Sequence, residues 1–171
     1  MIILGIDPGS RRMGYGVVEQ SGPQPVFVAA GVLPVTARTE PEALQEIKTG
    51  LDALLRKYRP SAVALEKLFF VRNQKTGIAV AQARGIALLA AAQKGLPVYE
   101  FAPNEIKAGI TGNGAADKRA VLKMVRIILN QPALVVIDDA SDALASALLA
   151  AQKFRNNFNI KPKNSGNSGG G

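Results

Sequence analysis

Four acids in this chain sit where a carboxylate is hard to explain as decoration. Asp7 ends the apolar run Ile2 to Ile6, and Glu66 closes the apolar run Ala62-Val-Ala-Leu65. Asp139 and Asp142 follow later, one helical turn apart and with no base nearby in sequence. A carboxylate closing a buried strand is costly unless something compensates its charge. Taken singly, each of the first two reads more readily as a surface residue at a strand end. Two such acids on adjacent strands would meet, however, and like charges one turn apart weaken a helix by a few tenths of a kcal/mol. Capping explains Asp138 or Asp139 at a helix start but leaves Asp142 unexplained. Clustered carboxylates are repaid by a hard divalent cation such as Mg²⁺ or Mn²⁺. Pairs of these ions can hold a phosphodiester for attack by an activated water.

What the chain lacks points the same way. It contains no histidine and no cysteine. That excludes Ser-His-Asp and Cys-His nucleophiles, disulfides, and thiolate zinc or iron–sulfur sites. Chemistry is left to carboxylates, Lys, Arg, hydroxyls and backbone amides, and carboxylate-bound metal needs nothing more.

The elements that must position these acids can be read from pattern. Ile2–Ile6, Met13–Glu19 and Val26–Leu33 are short β-type runs joined by Gly/Pro/Ser turns, an antiparallel meander. A helix opens at Pro41, with Thr39 or Glu40 as its cap, and carries the stripe Leu44, Ile47, Leu51, Leu54, Tyr58 before Arg59-Pro60 stops it. Ser61–Glu66 is a strand apolar on consecutive residues, as burial on both faces requires. Residues 73–94 form an alanine-rich helix closed by Gly95 and apolar around most of its circumference, so it needs cover on two sides: one from the sheet, the other from a partner subunit. Pro97–Phe101 is a fifth strand, 103–110 a short helix, 117–129 a helix capped by Asp117, and 139–152 the last helix. The fold class that follows is α/β, a five-stranded mixed sheet flanked by helices. Residues 1–155 form one domain, and 156–171, rich in Gly, Asn and Lys, a disordered tail.

The 171 residues carry 21 Lys+Arg against 13 Asp+Glu, a net charge of +8, and 47% are apolar. The charge is uneven: residues 1–54 sum to −2, 55–126 to +9 and 127–152 to −3. The stretch from Lys67 to Lys94 holds five bases and no acid. A basic middle between acidic clusters suits a polyanion held over a carboxylate site, although a solvated lysine-rich surface would show the same balance. No run approaches the ~20 apolar residues of a membrane span, and the N-terminus has no signal-peptide pattern. The expected setting is the cytoplasm.

These residues carry a recognisable pattern. Ile3-Leu-Gly-Ile-Asp-Pro-Gly-Ser10, Gly14-Tyr-Gly16, Leu65-Glu66, Ala81-Gln-Ala-Arg-Gly85, Ile106-Lys107, Gly112-Asn-Gly114 with Lys118, and Asp139-Ala-Ser-Asp-Ala-Leu-Ala145 resemble, in order, the bacterial Holliday-junction resolvases of the RuvC family. The resemblance implies a ribonuclease-H-like fold and a homodimeric endonuclease, dependent on two Mg²⁺ or Mn²⁺ ions per site, that nicks a four-way DNA junction symmetrically. It places catalysis and metal binding on Asp7, Glu66, Asp139 and Asp142. Asp139-Ala-Ser-Asp142 keeps the family's two-residue gap, so Asp139 is expected as the third ligand and Asp138 as the helix cap. Lys107 and Lys118 match basic residues near the scissile phosphate, although as sequence they are equally surface lysines. Phe69 matches an aromatic position suited to stacking on an unpaired base, with Phe70 left to packing. Arg72, Asn73, Lys75 and Arg84 complete the expected DNA contacts. The 73–94 helix matches the family's dimerisation element, and a branch-migration motor is a further candidate partner.

Three other readings compete. Gly5-Ile-Asp-Pro-Gly-Ser10 also resembles the first phosphate loop of actin/sugar-kinase ATPases, but the chain is short for their paired domains, and Thr111-Gly-Asn-Gly114 is a poor second loop. A non-catalytic nucleic-acid-binding module would use the basic surface and leave the acids structural. A general RNase H would share the fold and cut RNA in a hybrid.

Overall fold

The computed structural model describes residues 1–67 and 74–159, with side chains over 1–67 and 77–154. Three antiparallel strands come first: β1 (Ile2–Asp7), β2 (Arg12–Glu19) and β3 (Val26–Pro34). Then α1 (Glu40–Tyr58), β4 (Ala62–Glu66), α2 (Gln74–Gln93) and β5 (Val98–Phe101) alternate, and α3 (Pro103–Thr111), α4 (Lys118–Ile128) and α5 (Asp138–Asn159) end the chain. The strands form one sheet in the order β3-β2-β1-β4-β5. β1 runs antiparallel to β2 and parallel to β4, which runs parallel to β5. This is the mixed five-stranded sheet expected from the pattern.

The alternation of side chains along each strand divides the core in two. Leu4, Ile6, Val17, Val63 and Leu65 point to one face, where they pack with Ile47, Leu51, Leu54 and Leu55 of α1 and Ala83, Ala87 and Ala90 of α2. Ile3, Val18, Ala64 and Phe101 point to the other, against Leu144, Ala147 and Leu148 of α5, Val121 and Val125 of α4, and Ile106 and Ile110 of α3. Period two then carries Asp7 and Glu66 onto the α5 face, in step with Ile3 and Ala64.

Helix ends follow their local chemistry. Thr39 caps α1, with its amide donating to Glu42 Oε2 at 3.4 Å, and Arg59 ends it at φ 44°. The link from β3 into α1 is fastened by Glu46, whose carboxylate accepts from the amides of Thr36 and Ala37, each at 2.9 Å. Those bonds hold its carboxyl below the usual range, the Ala37 amide most of all. Asp117 caps α4 by accepting from the Ala120 amide at 2.8 Å. α5 departs from the expected bounds. It begins at Asp138, which is its first helical residue and not a cap outside it, and it runs on to Asn159, four residues into the expected tail. Residues 160–171 lie outside the described residues.

The seat of α5 is made of glycine. A Cβ on Gly5 would stand 1.9 Å from the Ala143 carbonyl oxygen, one on Gly14 2.0 Å from that of Asp139, and one on Gly16 2.6 Å from the Leu144 amide nitrogen. Gly5 and Gly16 are cross-strand partners, and Gly14 is the partner of Asp7. The helix backbone therefore lies directly on the sheet and sets the height of Asp139 above Asp7. Substitution of Gly14 by alanine is expected to destabilise by about 3 kcal/mol or more, because backbone and not a flexible side chain must give way. Gly22→Ala, with nothing within 4 Å of the added carbon, should stay within about 0.5 kcal/mol of the parent. Thermal unfolding of the two variants checks the contrast.

Candidate active site

Asp7 and Glu66 leave the ends of neighbouring parallel strands. Ile6 pairs with Leu65, so the two acids stand one step further along the same ladder and on the same face. Asp139 and Asp142 project from the first turn and a half of α5, whose backbone rests on Gly14 beside Asp7. Three elements thus bring the four expected acids to one sheet edge. Their mutual influence shows in their protonation. Asp7 is pushed up to about 7 by burial and then by Asp142, Glu66 and Asp139, with Lys118 opposing. Burial and Asp142 raise the Glu66 carboxyl, and Lys118 and Lys107 pull it back.

The two members of the doublet differ in position. Asp139 is one of the charges acting on Asp7, and its Oδ2 is buried without a hydrogen bond. Arg12 Nε lies 3.2 Å from that oxygen as an ion pair, outside hydrogen-bonding geometry. Asp138 is 76% exposed and faces Lys118 at 3.7 Å.

The expected basic residues divide. Lys118 enters the acidic cluster: its Nζ donates to Asp142 Oδ2 at 3.2 Å. Burial works against the Lys118 charge, but Asp142, Asp138 and Asp7 outweigh it and its pKa ends raised. Lys107, on α3, joins Glu66, Lys118, Asp142, Pro103 and Ile106 around an open cleft of about 310 Å³. Arg84 is elsewhere. It lies on α2, across the sheet from the acids, and its guanidinium is paired with Glu100 of β5. Phe69, Phe70, Arg72 and Asn73 lie outside the described residues, as does the side chain of Lys75. Arg12, at the start of β2, escaped the sequence reading, because nothing in the pair Arg11-Arg12 tells which side chain turns to the acids.

The donor set suits a hard divalent cation. All four acids offer oxygen, one of those oxygens is buried without a donor, and the charge is in excess over the cations facing it. As the side chains stand, no three acidic residues among those described close around a single point tightly enough to chelate, so loading requires side-chain adjustment.

The raised Asp7 pKa makes a stability prediction. Its folded value of about 7 lies above the ordinary 3.8, so the unfolded chain gives up this proton first as pH rises. The resulting penalty is absent below about pH 4, grows up to 7 and is full above it. Asp7→Asn should therefore stabilise metal-stripped protein at pH 8, by on the order of a few kcal/mol, and the gain should vanish near pH 4. Melting curves of both proteins in chelator across that range test this.

Residues 3–150 match the family model described as Crossover junction endodeoxyribonuclease RuvC. Proteins of that name from Rubrobacter xylanophilus and Heliobacterium modesticaldum are 46% and 45% identical, each over 90% of this chain and over 87% and 96% of their own lengths. The Thermus thermophilus RuvC structure solved in complex with Holliday junction substrate superposes with a TM-score of 0.85 at 34% identity, covering 92% of this chain and 96% of that one. The yeast mitochondrial Holliday junction resolvase Ydc2 shares the fold at a TM-score of 0.64 and 14% identity. The sequence pattern, the sheet with α5 seated across it and these matches agree, and the chain belongs to the RuvC family of crossover junction endodeoxyribonucleases.

Proposed function

We propose that this protein resolves four-way (Holliday) DNA junctions by hydrolysing a phosphodiester in each of two opposed strands. The observation that carries the reading is the meeting of four carboxylates from β1, β4 and α5 beneath a cleft edged by two lysines, in a chain of this family. Asp7, Glu66, Asp139 and Asp142 would hold the divalent metal, two Mg²⁺ or Mn²⁺ ions per site. When bound, the metal supplies Lewis acidity toward the phosphate and a more acidic water. The protein's own part is to fix its ligands on rigid elements. Asp7 and Glu66 stand on buried strands, and Asp139 and Asp142 on a helix whose height the glycine seat sets. Lys107 and Lys118 line the approach, where ammonium groups favour a polyanion's entry and offset charge that builds on the phosphate oxygens. Phe69, Arg72, Asn73 and Lys75 are proposed to contact junction bases and backbone beside Glu66.

Paired nicking needs two sites, and α2 offers the means. Its inner face lies on the core, while Ile78 and Leu89 remain 62% and 49% exposed on its outer side. We assign that side to a homodimer contact, which would present two copies of the site to one junction in the cytoplasm. A branch-migration motor would act on the same DNA.

An ATPase reading gains nothing from the geometry, since the Asp7 turn leads to a carboxylate cluster and Thr111-Gly-Asn-Gly114 closes α3 without facing it. The discriminating experiment offers a four-way junction, a linear duplex and an RNA–DNA hybrid, each with Mg²⁺, Mn²⁺ or EDTA. Symmetric nicks in the junction alone, lost in EDTA, are expected; cutting of the hybrid would favour a general RNase H. Asp7→Asn should lower the cleavage rate by about 10³-fold or more and still shift the junction in a gel. Asp139→Asn should do likewise, whereas Asp138→Asn should keep most activity. Sedimentation of the metal-free protein at micromolar concentration should give a dimer, and Ile78→Asp with Leu89→Asp a monomer.

A further inference from the structure

Two of the site's acids already have cationic partners, and both partners are largely exposed. Arg12 reaches Asp139 Oδ2 from the first residue of β2, and Lys118 reaches Asp142 Oδ2 from the first residue of α4, each at 3.2 Å. Their side chains are 65% and 63% exposed. Among the described residues, Arg12 has no other side-chain bond, and the only other acid within ion-pair range of Lys118 is the exposed Asp138. Neither cation is fixed by packing or by backbone acceptors, as Arg126 is by its bond to the Leu134 carbonyl.

We infer that Arg12 and Lys118 are resident counter-ions of the acidic cluster, which hold Asp139 and Asp142 until a divalent cation takes their place. The inference rests on the metal-binding reading of these carboxylates. Four like charges at one sheet edge repel, and α5, seated on glycine, cannot drift away to relieve them. Two internal positive charges supply the relief at no cost in geometry. A metal ion ligated about 2.1 Å from those oxygens would leave an ammonium or guanidinium close to a doubly charged ion, and both long exposed stems are free to swing out. There they meet the approach to the cleft, where a phosphate backbone would lie. Loading the metal thus releases two positive charges toward the substrate, and Arg12 becomes a positioning residue that the first reading of the sequence did not include.

Titration calorimetry with Mg²⁺ alone and with Mn²⁺ alone, on chelator-stripped protein without DNA, tests the exchange. Arg12→Gln and Lys118→Gln should each bind the ion about threefold or more tighter than the parent, since a competing charge has gone. Stripped variants should melt lower than the parent, and the melting-temperature gain on adding saturating metal should be larger. Arg12→Lys and Lys118→Arg, which keep the charge, should bind within about twofold of the parent, and this controls for misfolding. Unchanged affinity in both glutamine variants would overturn the inference, as would weaker binding, which would mean that the cations brace the ligands during loading. A parent protein that binds neither ion would instead overturn the metal-site reading on which the inference stands.

Discussion

Repulsion among carboxylates held too close to spread apart is the constraint on which the rest of this molecule turns. Asp7 cannot retreat, because β1 is buried on both faces and its neighbours Ile3, Leu4 and Ile6 are almost wholly enclosed. Asp139 and Asp142 cannot rise, because the helix backbone beneath them touches the glycines of β1 and β2. The crowding appears as chemistry and not as distortion: a carboxyl raised to about 7, by burial first and by its acidic neighbours after it, and two cations paired with the cluster. A rigid frame with unbalanced charge is what a metal site requires before its metal arrives.

The sheet divides the labour. The face under α5 carries the acids, the close-packed seat and the lysine-edged cleft. The opposite face carries α1 and α2, where packing is the ordinary interlock of Leu, Ile and Ala. α2 is apolar toward the core and also toward the outside, where Ile78 and Leu89 stand exposed on the side of the sheet away from the acids. The Arg84–Glu100 pair belongs to that second side, joining α2 to β5. Its charge is committed within the fold, which is why a base in an acid-free basic stretch does not reach the site.

Much of this was legible in one dimension. Continuous apolar runs closed by an acid, Ile2–Asp7 and Ala62–Glu66, located two acids at strand ends, and the turn-length spacing of Asp139 and Asp142 put two more on one helix face. Capping chemistry at Thr39 and Asp117 marked two helix starts, and all-round apolarity marked α2 as a helix with apolar residues on its inner and its outer face. What escaped were contacts between elements far apart in sequence. Whether Arg11 or Arg12 turns to Asp139, or Arg84 to Glu100, depends on crossing angles and on which side of a strand a residue leaves, and no local period encodes either. The start of α5 was off by one residue for a related reason: in an acidic doublet both members can cap, and the choice is made by what the helix rests on. Its end ran past the expected Gln152 to Asn159, and within that extension Phe154 packs edge-on against Tyr99 at a ring separation of 5.4 Å, a contact beyond the reach of composition. Gly5, Gly14 and Gly16, legible only as members of two strand runs and of the family pattern, are a bearing surface.

That bearing surface also governs how such a sequence can change with time. Where helix backbone touches strand backbone, no substitution is small, so those three positions and the α5 residues above them form a block that must be inherited whole. The α1 and α2 side has side-chain layers between its backbones and can exchange one residue for another of like volume. Variation should collect there, while the spacing of the four acids stays the same. The side of the sheet that tolerates exchange and the side that holds the four acids are thus separate.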